Sequence, residues 1–336
     1  MRILYAHHGW FTLTHGGFQT HVEGNRKAVE AHGISVDWAR WWDDSQQADL
    51  IHAFAPIPPA FIRQAHAKNI PVVLTSLQDR LANMPARQLL FKRATYRFFD
   101  RLPGFQAFWR EQDWQATRLA VHNIVNIPSH AAVLRDLFSV PSDRVTPVPL
   151  AVEDIFHQAS PSDRTGDHLV CVATISPRKG ILELARMARI AQVPVLFIGK
   201  PYGTQDPYWL QFKEMVDGHL IRYDGDCRTN ADLVARLQKA RGFVINSRCE
   251  AWCLAVDEAI ACGLPVLVPE APWSADRLPP ACRQLTGSPA DIETLRAFYE
   301  SCPTVNQPQP KLWTWPEVGV QLKDIYRTAI QRFHRG

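Results

Sequence analysis

Residues 242–269, Gly-Phe-Val-Ile-Asn-Ser-Arg-Cys-Glu-Ala-Trp-Cys-Leu-Ala-Val-Asp-Glu-Ala-Ile-Ala-Cys-Gly-Leu-Pro-Val-Leu-Val-Pro, leave this chain little choice of fold. Phe243 to Ile245 is a short apolar, β-branched run, and Leu254 to Cys262 places apolar residues at a helical period. Gly263 stands where a helix-ending glycine belongs, and Leu264 to Val268 is a second apolar strand. Strand, helix and strand make a βαβ unit, whose right-handed crossover brings the helix start to the carboxyl edge of a parallel sheet. An α/β fold follows.

Two carboxylates punctuate this unit. Glu250 lies on the turn before the helix, and Glu258 lies about two turns further on. The amides at a helix start, here those of Trp252, Cys253 and Leu254, make a ready phosphate site. Carboxylates accept hydrogen bonds from sugar hydroxyls, so Glu250 suits a hexose beyond the phosphates and Glu258 a ribose behind them. Glu-x7-Glu followed by Ala-Ile-Ala-Cys-Gly-Leu-Pro-Val resembles the donor-site signature of the retaining GT-B glycosyltransferases, the large family 4 group. That family usually has Glu-Gly-Phe-Gly-Leu before the helix, where this chain has Glu250-Ala-Trp-Cys-Leu254. The plain alternative is an acidic pair on the surface of an ordinary α/β helix.

The chain's 336 residues suit two domains of about 150 residues, each able to bury a core. A net formal charge of +4 is small for this length and does not call for nucleic acid. The 7 cysteines are odd in number and form no Cys-x-x-Cys, so a reduced, cytoplasmic protein is the simplest account. Cys249 and Cys253 lack the matching second pair that zinc needs, and no metal site is expected. No signal-peptide pattern and no apolar run near the ~20 residues of a membrane span is seen.

Ile3 to Ala6 reads as the first strand, followed by a loop and a helix to about Ala31. The glycines Gly16 and Gly17 in that loop let backbone amides approach an anion. His7, His8, His15 and His21 crowd the same region and suggest a positively inclined mouth. The Gly-x-Gly-x-x-Gly dinucleotide fingerprint is absent, which argues against a nicotinamide dehydrogenase. Gly-Gly-x-x-x-His-Val instead resembles the first loop of the same glycosyltransferases, which implies that Gly16 and Gly17 face the donor diphosphate. Asp49 to Phe54 and Pro71 to Thr75 are further strands. In the family the second of these usually ends in His-Asp near the acceptor. Here the pair is Gln78-Asp79, and the resemblance puts Asp79, with His130 and His15, on the acceptor side.

Arg80 to Arg118 departs from the rest of the chain. Arg80, Arg87, Lys92, Arg93, Arg97, Arg101, Arg110 and Arg118 are interleaved with Phe91, Tyr96, Phe98, Phe99, Phe105, Phe108, Trp109 and Trp114. Such a mixture suits an anionic membrane surface with rings at the headgroup level. It also suits nucleic acid through phosphate and stacking contacts, although no nucleic-acid partner is expected. A packed helix pair whose arginines reach out to water is the plain alternative.

The second domain opens with the strand His168 to Ala173, and Arg178-Lys179-Gly180 follows before a helix. Paired cations at a strand's carboxyl end are placed for a leaving diphosphate. They resemble the family's Arg-Lys-Gly or Glu-Lys-Gly element, although the family's other arginine is Thr174 here. The strands ending at Gly199 and near Tyr223 precede loops that, in the family, cup the nucleotide base, with Tyr223 as a stacking candidate. Trp313-Thr-Trp-Pro-Glu317 before the last helix resembles the family's closing Trp-Glu element.

The resemblance implies a GT-B fold, two Rossmann-like domains facing across a cleft. It implies an acceptor-side domain at 1–157, a linker at 158–167, a donor domain at 168–314 and, at 315–336, a C-terminal helix returning to the first domain. The implied reaction is retaining transfer from a UDP- or GDP-linked sugar to a glycan or lipid-linked acceptor in cell-envelope polysaccharide or glycolipid synthesis. Neither a metal nor another cofactor is implied. Glu250, Lys179 and Arg178 would carry the chemistry, and Gly16, Gly17, Glu258, Trp252, Cys253, Leu254, Gly199 and Tyr223 would hold the donor. The protein would be cytoplasmic, or peripheral at the inner face of the membrane. Two alternatives stay open: a sugar-nucleotide epimerase of the same architecture, and a non-catalytic member that binds a membrane or protein partner.

Overall fold

The computed structural model describes residues 1–9, 16–99, 102, 112 and 114–335. The chain forms two compact units, one of residues 1–151 and 313–336, the other of residues 152–312. Each is built on a six-stranded parallel sheet.

In the first unit the strands are β1 (Arg2–Ala6), β2 (Ser35–Trp38), β3 (Leu50–Phe54), β4 (Val72–Thr75), β5 (His122–Val125) and β6 (Val145–Pro147). Their order across the sheet is β2-β1-β3-β4-β5-β6. β3, β4 and β5 are buried along their whole length, β3 and β4 as near-continuous apolar runs and β5 with its His122 and Asn123 hydrogen-bonded to Thr146 and the Thr117 carbonyl. The closing helix Trp315–Arg335 returns to this unit and packs on the helix Gly17–Glu30. A Cβ at Gly24 would lie 2.1 Å from the Trp315 ring, so only glycine admits the indole there.

A neutral polar network fixes the same helix to the sheet. The Tyr326 hydroxyl is 2.9 Å from the Tyr5 hydroxyl and 2.7 Å from His52 Nδ1, and His52 Nε2 is 2.7 Å from Thr75 Oγ1. All four residues are buried. Burial pushes the Tyr5 and Tyr326 phenols up and His52 well down, so every member stays uncharged.

The second unit contains β7 (Leu169–Val172), β8 (Val195–Ile198), β9 (Ile221–Tyr223), β10 (Gly242–Val244), β11 (Val266–Pro269) and β12 (Arg283–Leu285). They are ordered β12-β11-β10-β7-β8-β9. The direction of winding reverses between β7 and β10, and the crevice beyond such neighbouring strand ends is where open α/β sheets bind ligands. The stretch 158–167 is bonded to this unit. The Ser162 hydroxyl reaches the Gln238 and Ala240 carbonyls, and the Arg164 guanidinium those of Gly263 and Val305. Among the described residues, no helix is long and apolar enough to cross a membrane.

Candidate functional site

The reversal between β7 and β10 brings two distant loops together. β7 leads through Thr174 to Arg178 and Lys179, and β10 leads through Ser247 to Glu250. Gly180 makes the approach possible. Its φ of 64° is left-handed, and a Cβ there would lie 2.7 Å from the Asn246 carbonyl oxygen.

One carboxylate sits at the centre. Lys179 Nζ and the Ser247 hydroxyl both bond Glu250 Oε1, and Arg178 Nη1 is 3.4 Å from Glu250 Oε2. Arg178 also donates to the Cys249 carbonyl at 2.9 Å. The Glu250 and Lys179 side chains are only 7% and 13% exposed, whereas Arg178 is 44% exposed and faces water. Burial works to raise the Glu250 carboxyl. Lys179 first, then Arg178, outweigh it and with the hydrogen bonds hold the group below the usual carboxylate range. Ser247 is anchored in turn, because the Trp273 indole donates to its carbonyl at 3.0 Å. The Asn246 amide oxygen, on the same loop, is buried without a hydrogen-bond partner among the described residues.

Behind Glu250 the helix Leu254–Ala261 begins. Cys253 caps it in a left-handed conformation, φ 69°, and burial first, then the Glu250 charge, push its thiol up to about 12. Trp252 is buried. Its indole N–H donates to Asp257 at 2.6 Å and its carbonyl accepts from Arg277, so its side chain belongs to the packing of the turn. Leu254 opens the helix, and Glu258 follows one turn on, partly buried. Burial, helped by the Asp257 and Glu153 carboxylates, pushes Glu258 up to about 7.

Gly199 and Tyr223 meet on neighbouring strands, where the Tyr223 hydroxyl donates to the Gly199 carbonyl at 2.9 Å. The glycine has a packing reason, since a Cβ would lie 2.0 Å from the Ala173 carbonyl oxygen. Tyr223 packs against Trp209 and Phe212.

The remaining candidates lie in the first unit. Gly16 and Gly17 start the helix Gly17–Glu30, and a Cβ on either meets no described atom within 4 Å. Packing among the described residues therefore does not demand glycine at either position, although the φ of 156° at Gly16 favours it. Asp79 opens the short helix Asp79–Ala82. His130 is fully buried and accepts, at Nδ1, the Gln78 backbone N–H at 3.4 Å, so it supports the Asp79 turn from within. Gln78 itself donates to Ser76 Oγ at 2.6 Å.

The expected cationic mouth is corrected at two of its four histidines. His21 is buried and pushed down to about 4 by burial, and burial also lowers His7, so both are neutral near pH 7. His15 lies outside the described residues, as do Arg101, Phe105, Phe108, Trp109 and Arg110. Sequence reasoning missed Ser247, Trp273, Asp257 and Arg277. Only the placement of Asp257 in the first helical turn, just after Trp252, hinted at any of them.

Compared by sequence, the chain matches no family model and no curated protein. Compared by structure, it resembles the catalytic domain of starch synthase IV from Arabidopsis thaliana bound to ADP and acarbose. The TM-score is 0.64 at 11% identity, covering 98% of this chain and 99% of that one. Anabaena HepE in complex with UDP-glucose aligns with TM-score 0.56 at 14% identity, over 100% of this chain and 98% of that one. AviGT4, a glycosyltransferase involved in avilamycin A biosynthesis, gives 0.57 at 14% identity, over 98% of each chain. What is shared at these identities is the fold. It is the GT-B fold of glycosyltransferases.

Proposed function

We propose that this protein is a GT-B glycosyltransferase that moves a sugar from a nucleotide-sugar donor to a glycan or lipid-linked acceptor, with retention of anomeric configuration and without a metal. The observation that carries the reading is the Lys179–Glu250–Arg178 cluster at the reversal between β7 and β10. At rest, one carboxylate is shared by two cations, which leaves the cluster with a net positive charge. A donor diphosphate brings the charge that draws Lys179 and Arg178 toward itself, and this leaves the Glu250 carboxylate free to accept from a sugar hydroxyl. Developing charge on the leaving diphosphate then meets preorganised cations and the first amides of the helix Leu254–Ala261. Glu258, which titrates near neutrality, is suited to a ribose hydroxyl as acceptor or donor.

The reading is tested by thermal stabilisation with UDP, GDP, ADP and NADH. A ligand at 100 times its dissociation constant adds about 2.7 kcal/mol, and one nucleoside diphosphate is expected to give such a shift. A response to NADH alone, or to no nucleotide, sinks it. An epimerase would convert the nucleotide sugar without any acceptor. A non-catalytic binding protein is favoured by one observation: Gln78 stands where the family's acceptor-side histidine would be and is tied to Ser76.

A lipid-linked acceptor in a cytoplasmic, membrane-peripheral protein is supported by the helix Ala86–Phe99. Leu90, Phe91 and Phe98 are exposed on one side of it, among Arg87, Lys92, Arg93 and Arg97 and with no acidic residue. A groove of about 600 Å³ runs along it, lined by Arg87, Gln88, Phe91, Lys92, Thr95 and Tyr96. Co-sedimentation with phosphatidylglycerol vesicles, absent with phosphatidylcholine and lost in L90S/F98S, is the expected result.

A further inference from the structure

Three buried side chains, of which only Trp252 lies in the donor-site motif, surround the turn ahead of the helix Leu254–Ala261. The Trp252 indole N–H donates to Asp257 Oδ2 at 2.6 Å. Arg277 pairs with the other oxygen of Asp257, bonds the Trp252 carbonyl, and lies over the Trp252 ring 3.8 Å from its centroid. The Arg277 and Asp257 side chains are 7% and 4% exposed. The indole N–H, both Asp257 oxygens and both terminal nitrogens of Arg277 therefore meet another member or the backbone of the turn. Asp257 belongs to the helix itself, and Arg277 follows the short helix Pro272–Ala275.

Between the clamped carbonyl of Trp252 and the clamped helix lies Cys253, at φ 69° and ψ 69°. Glycine holds such a backbone freely, and an L residue does so only when its surroundings enforce it. The clamp grips both sides of this residue. Arg277 fixes the peptide that precedes it, and Asp257 ties the indole to the first turn that follows.

We propose that Trp252, Asp257 and Arg277 are positioning residues that hold Cys253 in the left-handed conformation and thereby set the helix-start amides for the donor diphosphate. The assignment of the ligand rests on the nucleotide-sugar reading above; the assignment of the clamp rests on the geometry alone. Without the clamp, a cysteine leaves the left-handed region by a factor of about ten, and the amides of Cys253 and Leu254 turn with it. Glycine at 253 does not need the clamp.

The test combines D257N and W252F, each alone and with C253G. Phenylalanine keeps a ring under the guanidinium but cannot donate to Asp257. Each single clamp variant is expected to weaken binding of the stabilising nucleoside diphosphate about tenfold, with left-handed φ at residue 253 lost by backbone coupling constants. Adding C253G is expected to restore affinity to within about twofold of the parent, while any melting temperature lost with the clamp stays lost. Losses that simply add, with no restoration by glycine, overturn the proposal and leave the trio as core packing. If the parent binds no nucleoside diphosphate, the nucleotide reading fails, and the coupling constants still decide the clamp. Left-handed φ retained in D257N and W252F with Cys253 in place would refute it.

Discussion

The two units share one architecture and bury their polar groups in opposite ways. In the first, Tyr5, Tyr326, His52 and Thr75 form a neutral chain inside the core, and what it fixes is the closing helix. In the second, Glu250, Lys179, Asp257 and Arg277 are buried as charges at strand ends and in the loops beside them. A neutral network satisfies itself and has no need of a further partner. Buried charge survives only while paired, so a charged ligand can exchange into it. The same kind of sheet thus gives a neutral scaffold in one unit and a charged edge in the other, and the proposed donor site is placed at that charged edge.

The largest expected effect separates the units by pH. Burial holds His21 and His122 at about 4, against an ordinary value near 6.5. Between those values the unfolded chain takes up protons that the folded first unit refuses, so that unit loses stability as pH falls. The loss by pH 5 is about 2 kcal/mol for each such histidine. Glu258 has the opposite sign. Raised to about 7, it holds a proton in the folded state that the unfolded chain releases above about 4.5, so the second unit gains stability as pH falls from 7 toward 4.5. Amide exchange at pH 7 and pH 5 should therefore show protection falling in the sheet of β1–β6 and holding in that of β7–β12. A parallel fall in both would break the contrast.

Turnover comes next. Lys179→Ala should lower it by about 10²–10³-fold, the loss of about 2.7–4 kcal/mol typical of one charge-stabilising donor. Near-normal turnover would take Lys179 out of the reaction. Glu250→Ala should impair use of the sugar more than binding of the bare nucleotide, and equal losses would count against its assigned contact.

The neutral network yields a smaller change confined to the other unit. Tyr326→Phe removes the hydroxyl shared by Tyr5 and His52, and each buried group left unpaired costs about 1–3 kcal/mol. Melting temperature should fall while nucleoside diphosphate affinity in the second unit stays constant. A large loss of affinity would show that the scaffold and the charged edge are not separable.

Local sequence carried the fold far because its signals were local. The βαβ unit at 242–269 was legible from periodicity and glycine placement, and the Arg178-Lys179-Gly180 turn and the closing helix from short motifs that resemble those of a known family. β6 and β12, each 3 residues long, gave no period to read. The contact of Lys179 with Glu250 spans 71 residues and exists because β7 and β10 are neighbours, a fact of strand order that no window contains. The histidines were misread for a related reason. His21 on the helix Gly17–Glu30 looks like a cation until its burial is known, and burial is a property of the packed unit. Arg277 was invisible because its partners lie 20 and 25 residues upstream on another element.

Tyr223 offers the finest division between packing and recognition. Its hydroxyl serves the Gly199 carbonyl at the end of β8, while its ring packs with Trp209 and Phe212. Tyr223→Phe deletes the hydrogen bond and keeps the ring, so the expected change is about 0.5–1.5 kcal/mol of stability. If a base stacks on this ring, nucleotide affinity is retained in Tyr223→Phe and falls in Tyr223→Leu, which removes the aromatic face. Equal affinities for both variants would assign Tyr223 wholly to the core of the second unit. Charge, rather than stacking, would then have to supply the donor's hold on that sheet edge, and the loss in Lys179→Ala should appear in nucleotide affinity as well as in turnover.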